Sequence, residues 1–183
     1  MIWFFTPYSY DKKLFEAWDQ YINLVPRKDD WVCIRDGDTA FLLPDWGHQV
    51  KHYVDLYPDT GIFTCYASRC HYQPQIRMGT QTENPNILYH HTQAISTYHA
   101  LHGQVKEMNR RIAGHLIVIR KSTWLLIRDE VAATASDKKI LGVDTKISNA
   151  ILSRNMKIRL MRGIYIFHYL RMAEGYNSKI HLE

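Results

Sequence analysis

Two short apolar runs flank one amphipathic helical period at the start of the chain, and this pattern limits the folds open to it. Ile2 to Thr6 reads as a buried strand ended by Pro7, and Trp31 to Ile34 reads as a second strand, apolar at every position. Between them Leu14, Phe15, Trp18, Tyr21, Ile22 and Val25 recur at helical spacing, which predicts an amphipathic helix over Lys12 to Leu24. Tyr8-Ser9-Tyr10-Asp11 supplies the turn and cap chemistry before it. A strand-helix-strand unit of this length defaults to a right-handed parallel crossover. The chain is therefore expected to build an α/β sheet whose ligand edge lies beyond the carboxyl ends of its strands.

The second run continues into Arg35-Asp36-Gly37-Asp38 and turns apolar again at Thr39-Ala40-Phe41-Leu42. Asp36 and Asp38 would stand at that ligand edge. Alternation along an extended chain points both carboxylates to one side, and Gly37 lets a ligand's phosphates approach the backbone. Two hard oxygen donors so placed suit Mg²⁺ or Mn²⁺ bound together with a diphosphate. Asp-Gly is also a common turn dipeptide, and a solvated turn is the plainer reading of the stretch alone.

The chain then repeats the theme. Pro44-Asp45-Trp46-Gly47 starts a helix carrying Val50, Tyr53, Val54 and Tyr57 on one face, stopped by Pro58-Asp59-Thr60-Gly61. Ile62 to Ala67 is a third strand. Ser68 to Pro85 is polar and aperiodic, a long surface loop of the kind that carries specificity residues. Asn86 to Met108 is expected to be helical, Ala113 to Ile119 a fourth strand, and Ser122 to Arg128 a short helix. A polar stretch from Ala132 to Lys139 precedes Gly142-Val143-Asp144 and a helix that turns Ile147, Ala150, Ile151 and Met156 inward. Lys157 to Leu160 and Ile164 to Phe167 read as two late strands, and Ala173 to Glu183 as a polar tail.

With 183 residues, 46% hydrophobic and 22% charged, the chain fits one soluble domain over residues 1–183. A net charge of +5 suits phosphate-bearing ligands or an anionic membrane face. The Lys and Arg residues are scattered, with no stripe or aromatic motif of the RNA-binding kind, which argues against nucleic acid as the partner. Cys33, Cys65 and Cys70 form no regular framework, so a reducing compartment is expected. The start of the chain lacks a charged n-region, and no apolar run approaches the ~20 residues of a membrane span. A cytoplasmic protein follows, with peripheral membrane contact compatible.

Four segments taken together resemble one family. Asp36-Gly37-Asp38 at a strand end, followed by Pro44-Asp45, is similar to the aspartate pair of the GT-A type nucleotide-sugar glycosyltransferases near family 2. Ala113-Gly114-His115-Leu116-Ile117-Val118-Ile119-Arg120-Lys121 resembles that family's acceptor-side segment. Gly142-Val143-Asp144-Thr145-Lys146-Ile147-Ser148 is similar to its catalytic acidic residue before a serine-bearing helix. Tyr165-Ile166-Phe167-His168-Tyr169 looks like its late metal-binding histidine. The likeness runs from about Ile2 to Arg171. It implies a GT-A-like, mostly parallel sheet flanked by helices. The chain reaches Asp36 after one strand-helix unit where the family has two or three, so the N-terminal half is expected to be shortened.

The resemblance implies a metal-dependent transfer of a sugar from a UDP- or GDP-sugar to a glycan or lipid-linked acceptor, with inversion. Mn²⁺ or Mg²⁺ would sit on Asp36, Asp38 and His168 and stabilise charge on the departing diphosphate. Asp144 would be the general base, with Asp129, Glu130 and Asp137 as neighbouring alternatives. Thr6 and Tyr8 would touch the nucleotide, and Arg69 and Arg171 would contact its diphosphate. Each residue also has a plainer reading: His168 a structural histidine, Asp144 a helix N-cap, Thr6 and Tyr8 turn residues, the arginines solvated. A non-catalytic nucleotide-sugar or glycan-binding protein on the same fold is the alternative function. Cys65, Cys70 and His71 lack zinc-site spacing, and His91, His99 and His102 lack the glutamate of a hydrolytic helix motif.

Overall fold

A computed structural model describes residues 1–11, 13–134 and 142–169. β1 (Ile2–Phe5), α1 (Leu14–Asn23) and β2 (Trp31–Arg35) form the predicted unit, and β1 pairs parallel to β2. The order continues with β3 (Thr39–Phe41), α2 (Trp46–Leu56), β4 (Thr60–Ala67), a 3₁₀ turn (Gln73–Gln75) and α3 (Ile87–Leu101). It ends with β5 (Val105–Glu107), β6 (Leu116–Arg120), α4 (Lys121–Thr134), α5 (Val143–Leu152) and β7 (Lys157–His168). The strands make one open seven-stranded sheet in the order β1-β2-β6-β4-β7-β3, with β5 also against β7.

Alternate residues of the central strands feed two cores, one on each face. Val32, Ile34, Ile117, Ile119, Ile62 and Leu160 pack under α1, α4 and α5, where Trp18, Ile22, Trp124, Ile127, Ile147 and Ile151 are buried. Trp31, Cys33, Leu116, Val118, Phe63 and Met161 face the other way, against Val50, Tyr53 and Val54 of α2. Helices on both faces explain why these strands read as continuous apolar runs.

The sheet is mixed, which corrects the expectation of a mostly parallel one. β1–β2 and β4–β7 are parallel, whereas β2–β6, β4–β6, β3–β7 and β5–β7 are antiparallel. Burial on both faces produces the same apolar run whichever way the neighbour points, so Leu-Ile-Val-Ile in β6 carried no directional signal. The helix expected over Asn86 to Met108 stops at Leu101, because Gly103 takes a positive φ of 74° and the chain turns into β5. The two late strands are one. β7 runs through Gly163 with a register irregularity, Cys65 facing Met161 and Tyr66 facing Tyr165. A Cβ at Gly163 would lie 2.6 Å from the Tyr53 hydroxyl and 2.7 Å from the His102 backbone, so only glycine fits there. The short helix expected over Ser122 to Arg128 extends over the whole of α4. The tail from Ala173 lies outside the described residues, as does most of the polar stretch before α5. Among the described residues, no helix is long and apolar enough to cross a membrane.

Candidate metal centre

β2 and β7 end at the same edge of the sheet, and their ends bring Asp36, Asp38 and His168 together. One donor atom from each lies within 4.8 Å of the others, and among the described residues this is the one such group of three. The segment between β2 and β3 is a tight turn. Asp36 donates its N–H to the His115 carbonyl at 3.1 Å, and Thr39 returns both its N–H (3.2 Å) and its hydroxyl (2.7 Å) to the Asp36 carbonyl. Arg35 reaches over the turn to the Thr39 carbonyl. Tyr169 then donates to the Asp38 carbonyl at 2.9 Å, which ties the turn to the end of β7. The plain turn and the paired carboxylates are thus the same object: the turn fixes the pair.

His168 is buried, and its ring orientation is set from behind. Nδ1 donates to the Arg69 carbonyl at 2.7 Å, which turns Nε2 toward Asp38, 3.4 Å from its Oδ1. Metal-binding histidines commonly engage their other ring nitrogen in this way, which selects the tautomer with a free donor toward the ion. Ser68 holds the backbone of the same residue, its hydroxyl accepting the His168 N–H at 2.9 Å.

Asp144 completes the arrangement. It lies in the first turn of α5 rather than at the cap, which is Gly142 with a φ of 107°. One carboxylate oxygen accepts the Thr145 N–H at 2.7 Å. Gly114 packs directly against it: a Cβ there would meet the Asp144 Cβ at 3.1 Å. Two of the four sequence segments therefore touch, and Asp144 acts electrostatically on Asp36 in the other group.

The electrostatics of these carboxylates are unbalanced. Burial pushes Asp36 up to about 6; His168 opposes the rise, while Asp38 and Asp144 add to it. Burial also raises Asp144, against hydrogen bonds from the Thr145 and Gly114 N–H groups. Asp38 feels burial too, but the His168 hydrogen bond and charge outweigh it and hold its carboxyl below the usual range. Behind them His115 is fully enclosed, and burial drives its imidazole down to about 3. Two carboxylates and an imidazole nitrogen form a donor set suited to a divalent cation, with imidazole favouring Mn²⁺ over Mg²⁺.

The other predicted residues divide. Gly37 is exposed and has room around it, the nearest atom to a Cβ there being Thr6 Cγ2 at 3.8 Å, so Thr6 borders the turn. Tyr8 stands 74% exposed in the segment after β1. Arg69 serves the site through its carbonyl, while its guanidinium pairs with Glu83 at 3.0 Å. Arg171 and Asp137 lie outside the described residues. Cys33, Cys65 and Cys70 are buried and free, and Cys70 Sγ donates to the Tyr72 carbonyl.

Sequence reasoning missed Gln75, a fully buried side chain from the aperiodic loop. It accepts the Ala113 N–H at 2.6 Å and donates to Thr64 Oγ1 at 2.7 Å, which fixes the segment leading to Gly114 and His115. No local pattern marks it. A scan against protein-family models finds no match to this chain, and no curated protein matches it.

Proposed function

We propose that this chain is a metal-dependent glycosyltransferase that takes a nucleotide-diphosphate sugar as donor. The observation that carries the reading is the convergence of Asp36, Asp38, His168 and Asp144 from three distant parts of the sequence on one end of the sheet. The GT-A-like fold belongs to the same proposal, supported by that convergence and by the parallel β1–α1–β2 unit that leads into the aspartate pair.

Asp36, Asp38 and His168 Nε2 would hold the cation, which supplies Lewis-acid stabilisation of charge on a departing diphosphate. Asp144 takes the proton of an acceptor hydroxyl as that oxygen bonds to the anomeric carbon and the carbon–diphosphate bond breaks. Its raised affinity for protons moves it toward the pH at which a general base works best. Gly114 and Thr145 orient that carboxylate through their N–H groups. Asp144 as the base candidate on the acceptor side favours a single displacement with inversion. Thr6 and Gly37 border the open side of the turn, where a diphosphate would approach.

The test is calorimetric titration with Mn²⁺ and a panel of UDP- and GDP-sugars, followed by a donor-hydrolysis assay. Metal-dependent donor binding with sugar release supports the reading. No binding of any donor in the presence of Mn²⁺ overturns it, and binding without release would identify a non-catalytic nucleotide-sugar-binding protein.

A further inference from the structure

The two lateral edges of the sheet are built differently. Along β7 the outer side is shared by β3 and β5, three residues each, and β5 reads Val-Lys-Glu. Short, charged edge strands resist pairing with another chain. At the opposite edge β1 reads Ile-Trp-Phe-Phe, with unbroken register to β2 from Ile2–Trp31 to Phe5–Ile34. It contains no charge, no proline and no bulge, and among the described strands it pairs with β2 alone. An unprotected apolar edge is a template for strand addition.

A second observation concerns the face beside that edge. α2 covers Phe63 and Met161, but Ile2, Phe4 and Trp31 line a cleft of about 1020 Å³ between α2 and the β1 side of the sheet. Trp46 forms its wall, stacked on Phe41 with ring centres 4.3 Å apart and edge-on to Phe4 at 4.5 Å. Around it stand Arg27, Lys51 and Arg120 together with Asp29, Asp45 and Asp55. With the Met1 ammonium, which also lines the cleft, both signs are present in similar number.

We propose that a second copy of this chain docks here, β1 pairing antiparallel with its counterpart across a two-fold axis perpendicular to the sheet. A two-fold interface sets one patch against itself. A rim of a single sign would repel its own image, whereas here Lys51 pairs with Asp55 and Arg27 with Asp30 inside one chain, so two copies can approach without like-charge repulsion. The axis keeps the α2 faces of both copies on the same side, so Ile2 and Phe4 of the two chains become cross-strand neighbours at the floor of a joined cleft. The backbone groups on the free side of β1 gain partners, and two seven-stranded sheets become one. The metal centre lies at the carboxyl ends of β2 and β7, so dimerisation leaves it open. This inference stands independently of the proposed activity.

Sedimentation velocity on the intact chain, up to about 100 μM, should show a species of twice the 21.6 kDa chain mass, populated more as concentration rises. Phe4→Lys places a charge on the pairing strand and should give a folded monomer, with folding checked by a cooperative melt. Lys51→Glu, at the exposed rim, should weaken association by roughly tenfold without touching the strand. Hydrogen exchange on the unaltered chain should show alternate β1 amides gaining protection with concentration. A wild-type chain that is monomeric throughout, or a folded Phe4→Lys that remains dimeric, would overturn the proposal, as would β1 exchange that ignores concentration.

Discussion

Strand β7 carries a charged cluster at each end, and the two are opposites. At its start, Arg159 grips Asp59 with both guanidinium nitrogens, NH1 to Oδ1 at 2.6 Å and NH2 to Oδ2 at 3.0 Å, and Lys157 adds a third contact at 3.0 Å. Glu107 approaches the same arginine at 3.5 Å. The hydrogen bonds from Arg159 and Lys157 hold the Asp59 carboxyl well below the usual range. At its end, Asp36 and Asp38 meet only the His168 imidazole as a possible positive partner in the group, and Asp144 adds further negative charge. Similar residue types occur at both ends of one strand. At one end the fold supplies the compensating cations, and the carboxylates are structural. At the other it crowds carboxylates at some cost in stability and leaves the compensation to a ligand. Asp30, held by Arg27 at 2.8 Å and by the Trp3 indole at 3.0 Å, belongs with the first kind.

The largest expected effect separates the metal from the base. Asp38→Ala should abolish both Mn²⁺-induced stabilisation and sugar transfer, a loss of at least about 100-fold in activity. Asp144→Asn should keep the Mn²⁺ response and reduce kcat by roughly 10²–10⁴-fold. If both variants lose metal binding equally, Asp144 belongs to the cation shell instead.

Next comes the paired cluster. Arg159→Ala removes hydrogen bonds to a half-exposed carboxylate, and solvent will take over part of their contribution, so about 1–2 kcal/mol of stability should be lost. In a chain of this size that is roughly 2–8 °C in Tm. Mn²⁺ binding should be untouched, and a change in it would break the distinction between the two ends. Gly114→Ala is a finer probe of the other end. A methyl group 3.1 Å from the Asp144 Cβ must displace that side chain, and kcat should fall by about tenfold while the metal response persists.

The smallest effect is in the pH dependence. Asp36 binds its proton more tightly folded than unfolded, so its contribution to stability is present at low pH and is lost as pH rises from the ordinary carboxylate range through about 6. His115 acts with the opposite sign: its depressed affinity favours the fold above about 6.5, and this is lost as pH falls toward about 3. Asp36→Asn removes the first of these contributions, and stability should then rise more steeply with pH across that window than in the unaltered chain. A cation needs ionised Asp36, so the Mn²⁺ increment in Tm should be several degrees larger at about pH 7.5 than at pH 5. Melting curves with and without Mn²⁺ at the two pH values check this, and equal increments would show that Asp36 is not a ligand.

Much of this centre was legible because its side chains follow simple rules. Asp36 and Asp38 are one residue apart at a strand end, and His168 closes an apolar run, so alternation and strand ends alone put them at an edge. That the two strands share the same edge was not legible, since it depends on β2 and β7 having the same direction in a mixed sheet. The support of the site was hidden for a different reason. His168 is oriented by the Arg69 carbonyl and the Ser68 hydroxyl, and the segment before Gly114 is held by Gln75, all from a loop with no period. A backbone carbonyl leaves no trace in side-chain identity. The guanidinium of Arg69 is what its sequence position advertises, yet the residue serves the site through its main chain. β5 went unseen because three residues are too few to show alternation, and the late strand was divided because Gly163 resembles a break where it is a close approach to Tyr53.

Crystals soaked in Mn²⁺ and measured at the manganese absorption edge test the central claim most directly. One anomalous peak is expected, bounded by the Asp36 and Asp38 carboxylates and His168 Nε2, with none at the Asp59–Glu107 cluster. A map without that peak at saturating Mn²⁺, or with the ion bound at the arginine-paired end instead, would contradict it.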